Sequence, residues 1–273
     1  MSAATASASA QARRASNSKG MDALARLGLA SRGSIYLLVG VLAVLLAFGE
    51  KKGETDQRGA MQELAQHTGG FVVLLIVAVG LAGYALWRFS EAAFGVAGEG
   101  KKAGPRAQSA VRGIVYTFLA ISAFTILVEG RQKSQAKQQE SYSARLMHHS
   151  AGRWLVGLIG VVIAVVGAVL VYEGVKRKFE KYFKLGEMSP GARKVTEFLG
   201  TVGSAARGLV FAVAGVLVVI AAVQFDPKKA RGIDGALLTL RDAPLGPVLL
   251  VAVALGLVMF GLFGLCEARW RRT

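Results

Sequence analysis

Leu29-Ala30-Ser31-Arg32-Gly33-Ser34-Ile35-Tyr36 opens a long apolar run, and the same phrase returns twice. The second copy is Ala110-Val111-Arg112-Gly113-Ile114-Val115-Tyr116 and the third is Ala205-Ala206-Arg207-Gly208-Leu209-Val210-Phe211. Each copy sets an aromatic three residues past an Arg-Gly pair and a small residue (Gly40, Ala120, Gly215) seven past the glycine. A glutamate closes each copy: Glu91, Glu173 and Glu267 follow their arginines by 59, 61 and 60 residues. An Arg-Gly pair alone carries little information. Three in one register, with shared aromatic, small and acidic positions, define an internal repeat.

Each copy contains two apolar runs. They are Gly33–Phe48 and Gly70–Phe89, Gly113–Val128 and Trp154–Tyr172, then Gly208–Phe225 and Leu245–Cys266. A helix needs about 20 mostly apolar residues to cross about 30 Å of hydrocarbon. The shorter runs reach that length once flanking residues such as Arg32, Arg112 and Glu129 are counted at the interface. All five prolines lie outside the run cores. Hydrophobic residues make up 53% of the 273-residue chain and charged residues 18%, and the mean hydropathy is +0.46. These values exclude an ordinary soluble domain, and runs of this length exclude the short alternating segments of a lipid-facing barrel. The fold class is therefore all-α: a polytopic membrane protein of six transmembrane helices, built from three parallel hairpin repeats and compatible with a pseudo-threefold bundle. The expected units are residues 21–95, 105–175 and 196–270, after a disordered cytoplasmic tail at 1–20 rich in Ala, Ser and Arg.

The net charge of +16 is distributed unevenly. With six spans, the side that holds both termini carries 21 Lys and Arg against 12 on the other. The positive-inside rule places both termini in the cytoplasm of a bacterial inner membrane. Basic residues between apolar runs call for anionic lipid rather than nucleic acid as partner. The stretch Lys176-Arg177-Lys178 with Lys181 and Lys184, interleaved with Phe179, Tyr182 and Phe183, is the clearest case. A membrane-protein partner or a second copy of the chain is also expected. On the opposite side, Asp56 and Asp234 are placed to cap short helices on the membrane surface. The third connection lacks this form, although Leu146 and Met147 preserve part of an apolar face.

Candidate site residues come from the repeat itself. Arg32, Arg112 and Arg207 stand at the starts of the first helices, and Glu91, Glu173 and Glu267 at the ends of the second. Their shared level predicts an Arg–Glu pair at the base of each hairpin, as Arg32 with Glu91. The six are structural residues or contacts for an anion or lipid headgroup. No catalytic residue, metal ligand or cofactor is assigned. His67, His148 and His149 do not have zinc-site spacing. There is no phosphate-binding loop, dinucleotide fingerprint or nucleophile elbow. No charge falls at the middle of an apolar run, which argues against a proton-driven pump. The lone Cys266 forms no intramolecular disulfide.

The three Arg-Gly-aromatic entries, the connections at Asp56 and Asp234, and the exit Gly80-Leu81-Ala82-Gly83-Tyr84-Ala85-Leu86-Trp87-Arg88 together resemble a bacterial membrane family, domain of unknown function 1206. The likeness covers residues 21 to 270 and is weakest in the middle unit, whose connection and exit are degenerate. It implies three tandem two-helix units and no activity. The expected function is structural, regulatory or partner-binding and not enzymatic. The alternative is a transporter or channel for a small solute or lipid.

Overall fold

The computed structural model describes residues 19–50, 54–96, 99–100, 102–130, 135–147 and 150–272. The expected tail at 1–20, apart from Lys19 and Gly20, and the pair His148 and His149 lie outside the described residues. Six long helices cross the membrane: α1 (Lys19–Ala47), α3 (Gly70–Phe94), α4 (Ala103–Glu129), α6 (Ser150–Val175), α7 (Pro190–Gln224) and α9 (Gly246–Trp270). Three short helices sit between the two spans of each unit: α2 (Gln57–Ala65), α5 (Gln135–Met147) and α8 (Gly232–Arg241). A helix satisfies its own backbone groups, which hydrocarbon demands.

The first helix of each unit starts well before its apolar run. In α7 the start is set by Ser189, whose hydroxyl accepts from the Ala192 N–H at 3.2 Å, with Pro190 in the first turn. Arg32, Arg112 and Arg207 therefore lie inside α1, α4 and α7, not at their starts as expected. The helix dipole acts mainly within a terminal turn, so it bears little on these arginines. The glutamates do lie in the last turns of α3, α6 and α9.

Packing follows the repeat register. The second helix of each unit packs on the first helix of the next: α3 on α4, α6 on α7, and α9 back on α1. Small residues permit this contact. A methyl group on Gly33 would stand 2.7 Å from the Gly261 carbonyl oxygen, and one on Gly208 would stand 2.7 Å from that of Gly167. In lipid the apolar effect does not drive helices together, so such close fit carries the association.

Within units the contacts differ. In the first, α1 packs on α3, and Gly28 lies directly against Tyr84; in the third, α7 packs on α9, and Gly203 lies against Phe260. The middle unit has Gln108 and Val166 at the matching positions, four before the arginine and seven before the glutamate. The glycine and the aromatic are both missing, and α4 and α6 make at most slight contact. The six spans thus form an arc in the order α6, α7, α9, α1, α3, α4, with a seam between α4 and α6. Only 17% of the apolar stretch of α6 is buried, against 61% for α1, so the seam opens toward lipid.

The end opposite the termini is closed by α2, α5 and α8. Ala60, Met61, Ala236 and Leu237 are fully buried, so α2 and α8 turn their apolar faces into the bundle and not into the membrane surface. Asp56 caps α2 as expected, accepting from the Gly59 N–H at 2.9 Å. Asp234 does not cap α8. It sits within the first turn, where it accepts from the Thr55 N–H at 3.1 Å and pairs with Arg231 at 2.9 Å. Arg58 ties α2 to Ser122 of α4 and to Gln138 of α5. Of the pair expected to keep an apolar face on α5, Met147 is buried and Leu146 is exposed.

Burial pushes the Asp56 carboxyl up to about 7, against the pull of the Gly59 N–H and with the Glu54 and Asp234 carboxylates nearby adding to the rise. The folded chain then binds this proton more tightly than the unfolded one. Stability falls as pH rises from the usual 3.8 toward 7. Asp56→Asn keeps a capping oxygen and removes the charge. It should raise the unfolding free energy in detergent at pH 8 by on the order of 2 kcal/mol, read as a higher midpoint, with the gain shrinking toward pH 4. A second expectation concerns the inter-unit contact. Gly33→Val should cost about 2 kcal/mol or more by thermal unfolding, because the obstacle is backbone that cannot give way.

Candidate functional site

The end that carries both termini gathers the charge. Arg26 of α1 donates to the carbonyls of Ala268 and Arg269, which fixes the start of α1 beside the end of α9. Arg32 donates to Glu267 of α9 and, at 3.2 Å, to the Tyr84 hydroxyl. Arg271 donates to the other oxygen of Glu267. Arg88 donates to Glu91 and to the Tyr84 hydroxyl, both at 2.6 Å, and the Ser109 hydroxyl of α4 donates to Glu91 at 2.9 Å.

This arrangement corrects the expected pairing. Arg32 meets Glu267, the glutamate of the third unit, and not Glu91. Glu91 is held by Arg88 of its own helix and by Ser109 of the next unit. The reason is the packing rule above: the second helix of a unit lies closest to the first helix of the following unit, so its glutamate looks across that interface. Arg112 and Glu173 form no pair, nor do Arg207 and Glu267.

Two arginines are left without a carboxylate. Arg207 donates to the Tyr36 hydroxyl at 3.0 Å and lies over the rings of Phe260, Phe211 and Tyr36 at 4.9 to 5.5 Å. Among the described residues, Arg112 of α4 has no hydrogen-bond or ion-pair partner. Both are half-buried and both line a cavity of about 100 Å³. Its wall also includes Arg32, Arg271, Lys178, Lys181, Tyr84, Tyr116, Gln108, Glu173 and Glu267. Six cationic side chains thus face two carboxylates, and Glu267 is already shared by two arginines. Arg32 and Arg271 are over nine-tenths buried, and each has an Nε–H with no acceptor.

The connection between α6 and α7 closes this end. Its backbone pairs with that of the C-terminal residues: Lys184 N–H donates to the Trp270 carbonyl at 2.9 Å, and Arg272 N–H to the Tyr182 carbonyl at 2.8 Å. Phe183 is buried, and Phe179 and Phe183 pack on Phe263 with ring centroids 4.9 and 5.7 Å apart. The sequence reads this basic-aromatic stretch as a surface segment for anionic lipid. Its phenylalanines instead anchor a lid on the bundle, and Lys178 and Lys181 reach the cavity wall. Lys181 and Lys102 both donate to Glu99, which holds that carboxyl down at about 2 and raises Lys181.

Chemically the basin is rich in donors and cationic groups. It offers guanidinium and phenol donors, and its volume suits several waters or one phosphate or carboxylate group at roughly 10–15 Å³ per water. Among the described residues no cluster of three or more His, Cys, Asp or Glu is placed to hold a metal ion.

A family model matches this chain three times, at residues 27–95, 107–177 and 202–271, and its description is Domain of Unknown Function (DUF1206). The chain belongs to this family. The DUF1206 units coincide with the three helical hairpins, and each match contains one Arg–Glu set. The chain is also 30% identical over 245 residues to "Uncharacterized protein YxxB" of Bacillus subtilis (strain 168), covering 89% of this chain and 88% of that one. No solved structure matches it.

Of the six candidates read from the DUF1206 repeat, Arg32, Arg112, Arg207, Glu173 and Glu267 meet at the basin, and Glu91 stands behind it with Arg88. Tyr84, Arg88, Ser109 and Arg271 were not singled out from sequence. The spacing of Glu267 and Arg271, one helical turn apart, was the available signal. Glu267→Gln leaves Arg32 and Arg271 buried with half their partner. It should lower the unfolding midpoint by about 3 kcal/mol. An unchanged midpoint would show that the triad carries no stability.

Proposed function

We propose that this protein is a non-enzymatic membrane protein that binds an anionic ligand at its basin, in a regulatory or carrier role. One observation carries the reading: Arg112 and Arg207 line one cavity, six cationic side chains there face only Glu173 and Glu267, and neither arginine is ion-paired to either carboxylate. Unpaired cations at the edge of hydrocarbon are expensive. A fold that keeps two of them beside an aromatic cluster stores binding energy for an oxyanion. The charge bias between the two ends supports a bacterial inner-membrane location with both termini and the basin on the cytoplasmic side. The same bias, with the lysines of the lid, supports anionic lipids as neighbours of this end.

Thermal unfolding of the purified chain in detergent tests the reading. Inorganic phosphate should raise the midpoint more than chloride of equal ionic strength. Arg112→Gln should weaken the phosphate effect about 10-fold or more, the worth of one charged hydrogen bond. Equal responses of the two proteins would refute the assignment.

A further inference from the structure

A second cavity, of about 400 Å³, shares α4, α6 and α7 with the basin. Its walls include Val115 and Leu119 of α4, Ile159 and Ile163 of α6, and Ala214 and Val218 of α7. It therefore occupies the seam where the middle unit fails to close. The basin begins one turn away. Arg112 precedes Val115 on α4, Leu170 and Glu173 follow Ile163 on α6, and Arg207 precedes Phe211 on α7. Phe211 joins the two spaces: it lines the apolar cavity, and the Arg207 guanidinium lies 5.0 Å from its ring centroid.

We propose that the ligand of the basin is the phosphate headgroup of a membrane lipid, which enters sideways between α4 and α6 and lays an acyl chain in this crevice. The inference rests on the anion-binding reading above and adds the source of the anion. Three observations favour a lipid over a free anion or a protein segment. The walls that α4, α6 and α7 give the crevice are apolar, and it borders α6, the least buried span. Its far end is lined by α5, through Tyr142 and Leu146. Its length also fits. From Glu173 to Val156 the α6 wall runs ~26 Å at 1.5 Å per residue. Half the hydrocarbon thickness is about 15 Å, so an acyl chain whose headgroup sits in the basin reaches into the slot. The far end carries neutral polar groups, Gln57, Gln135, Gln139 and Ser143, whereas the cationic groups that complement a phosphate stand at the basin end. Gln108 lines the basin one turn before Arg112, on the side away from the slot, at the position where the other units carry the glycine that closes the hairpin.

Native mass spectrometry of the full chain, released from detergent with phosphatidylglycerol or phosphatidylcholine added, reads lipid retention. Thermal unfolding with inorganic phosphate is run in parallel. The wild type should retain one phosphatidylglycerol per chain in preference to phosphatidylcholine. Arg112→Gln should cut that preference 10-fold or more. Ile163→Trp, which fills the slot without touching the basin, should cut phosphatidylglycerol retention at least 5-fold and leave the response to phosphate unchanged. Leu119→Trp plugs the facing wall and is read if the first variant does not fold. Retention unaffected by both plugs would overturn the lipid inference while leaving anion binding in place. If Arg112→Gln changed neither lipid retention nor the phosphate response, the anion-binding reading would fail as well.

Discussion

Close approach of each unit's second helix to the next unit's first helix is the constraint on which this molecule depends. At α9 and α1, and at α6 and α7, a single added methyl group would strike backbone. Hydrocarbon gives no apolar incentive for helices to associate, so surface fit at small residues carries the assembly. The contact recurs three times and closes on itself, because the third unit packs back on the first. It brings the last turn of one unit beside the conserved-register arginine of its neighbour. The link between Arg32 and Glu267 is a consequence of that packing.

The second consequence is the inequality of the three hairpins. Gly28 against Tyr84 and Gly203 against Phe260 close the first and third. The middle hairpin has Gln108 and Val166 instead and stands open. Loss of one glycine and one aromatic turns a six-membered ring into an arc with a lateral seam. The same unit supplies Arg112 and Glu173, neither of which forms an ion pair among the described residues. Degeneracy of the repeat, opening of the bundle and unbalanced charge thus occupy one place.

Much of the architecture was legible because it rests on periodic and compositional signals. Six apolar runs, an even number per unit and the Arg–Gly–aromatic register define six spans in three hairpins, and the family matches fall on the same units. The partner of Arg32 was not legible. Hairpin neighbours in sequence suggested Glu91, whereas glycine contacts between units select Glu267. Asp234 shows the same limit: its spacing fits a helix cap, but its carboxylate is taken by Thr55 and Arg231. The fate of Phe179 and Phe183 also depended on tertiary contact, since a basic-aromatic stretch reads alike on a lipid surface and in a lid. Gln108 was visible throughout as a departure from the repeat. Its meaning emerged only once the glycines at the matching positions were seen against their aromatics.

The central claim is that the middle hairpin is open in the membrane. A cryo-EM structure in lipid nanodiscs, with helix separations compared at matched register, tests it most directly. The account predicts that α4 and α6 stand farther apart than α1 and α3 or α7 and α9, with density for one acyl chain between them. Three equal separations, with Gln108 packed against α6, would contradict it.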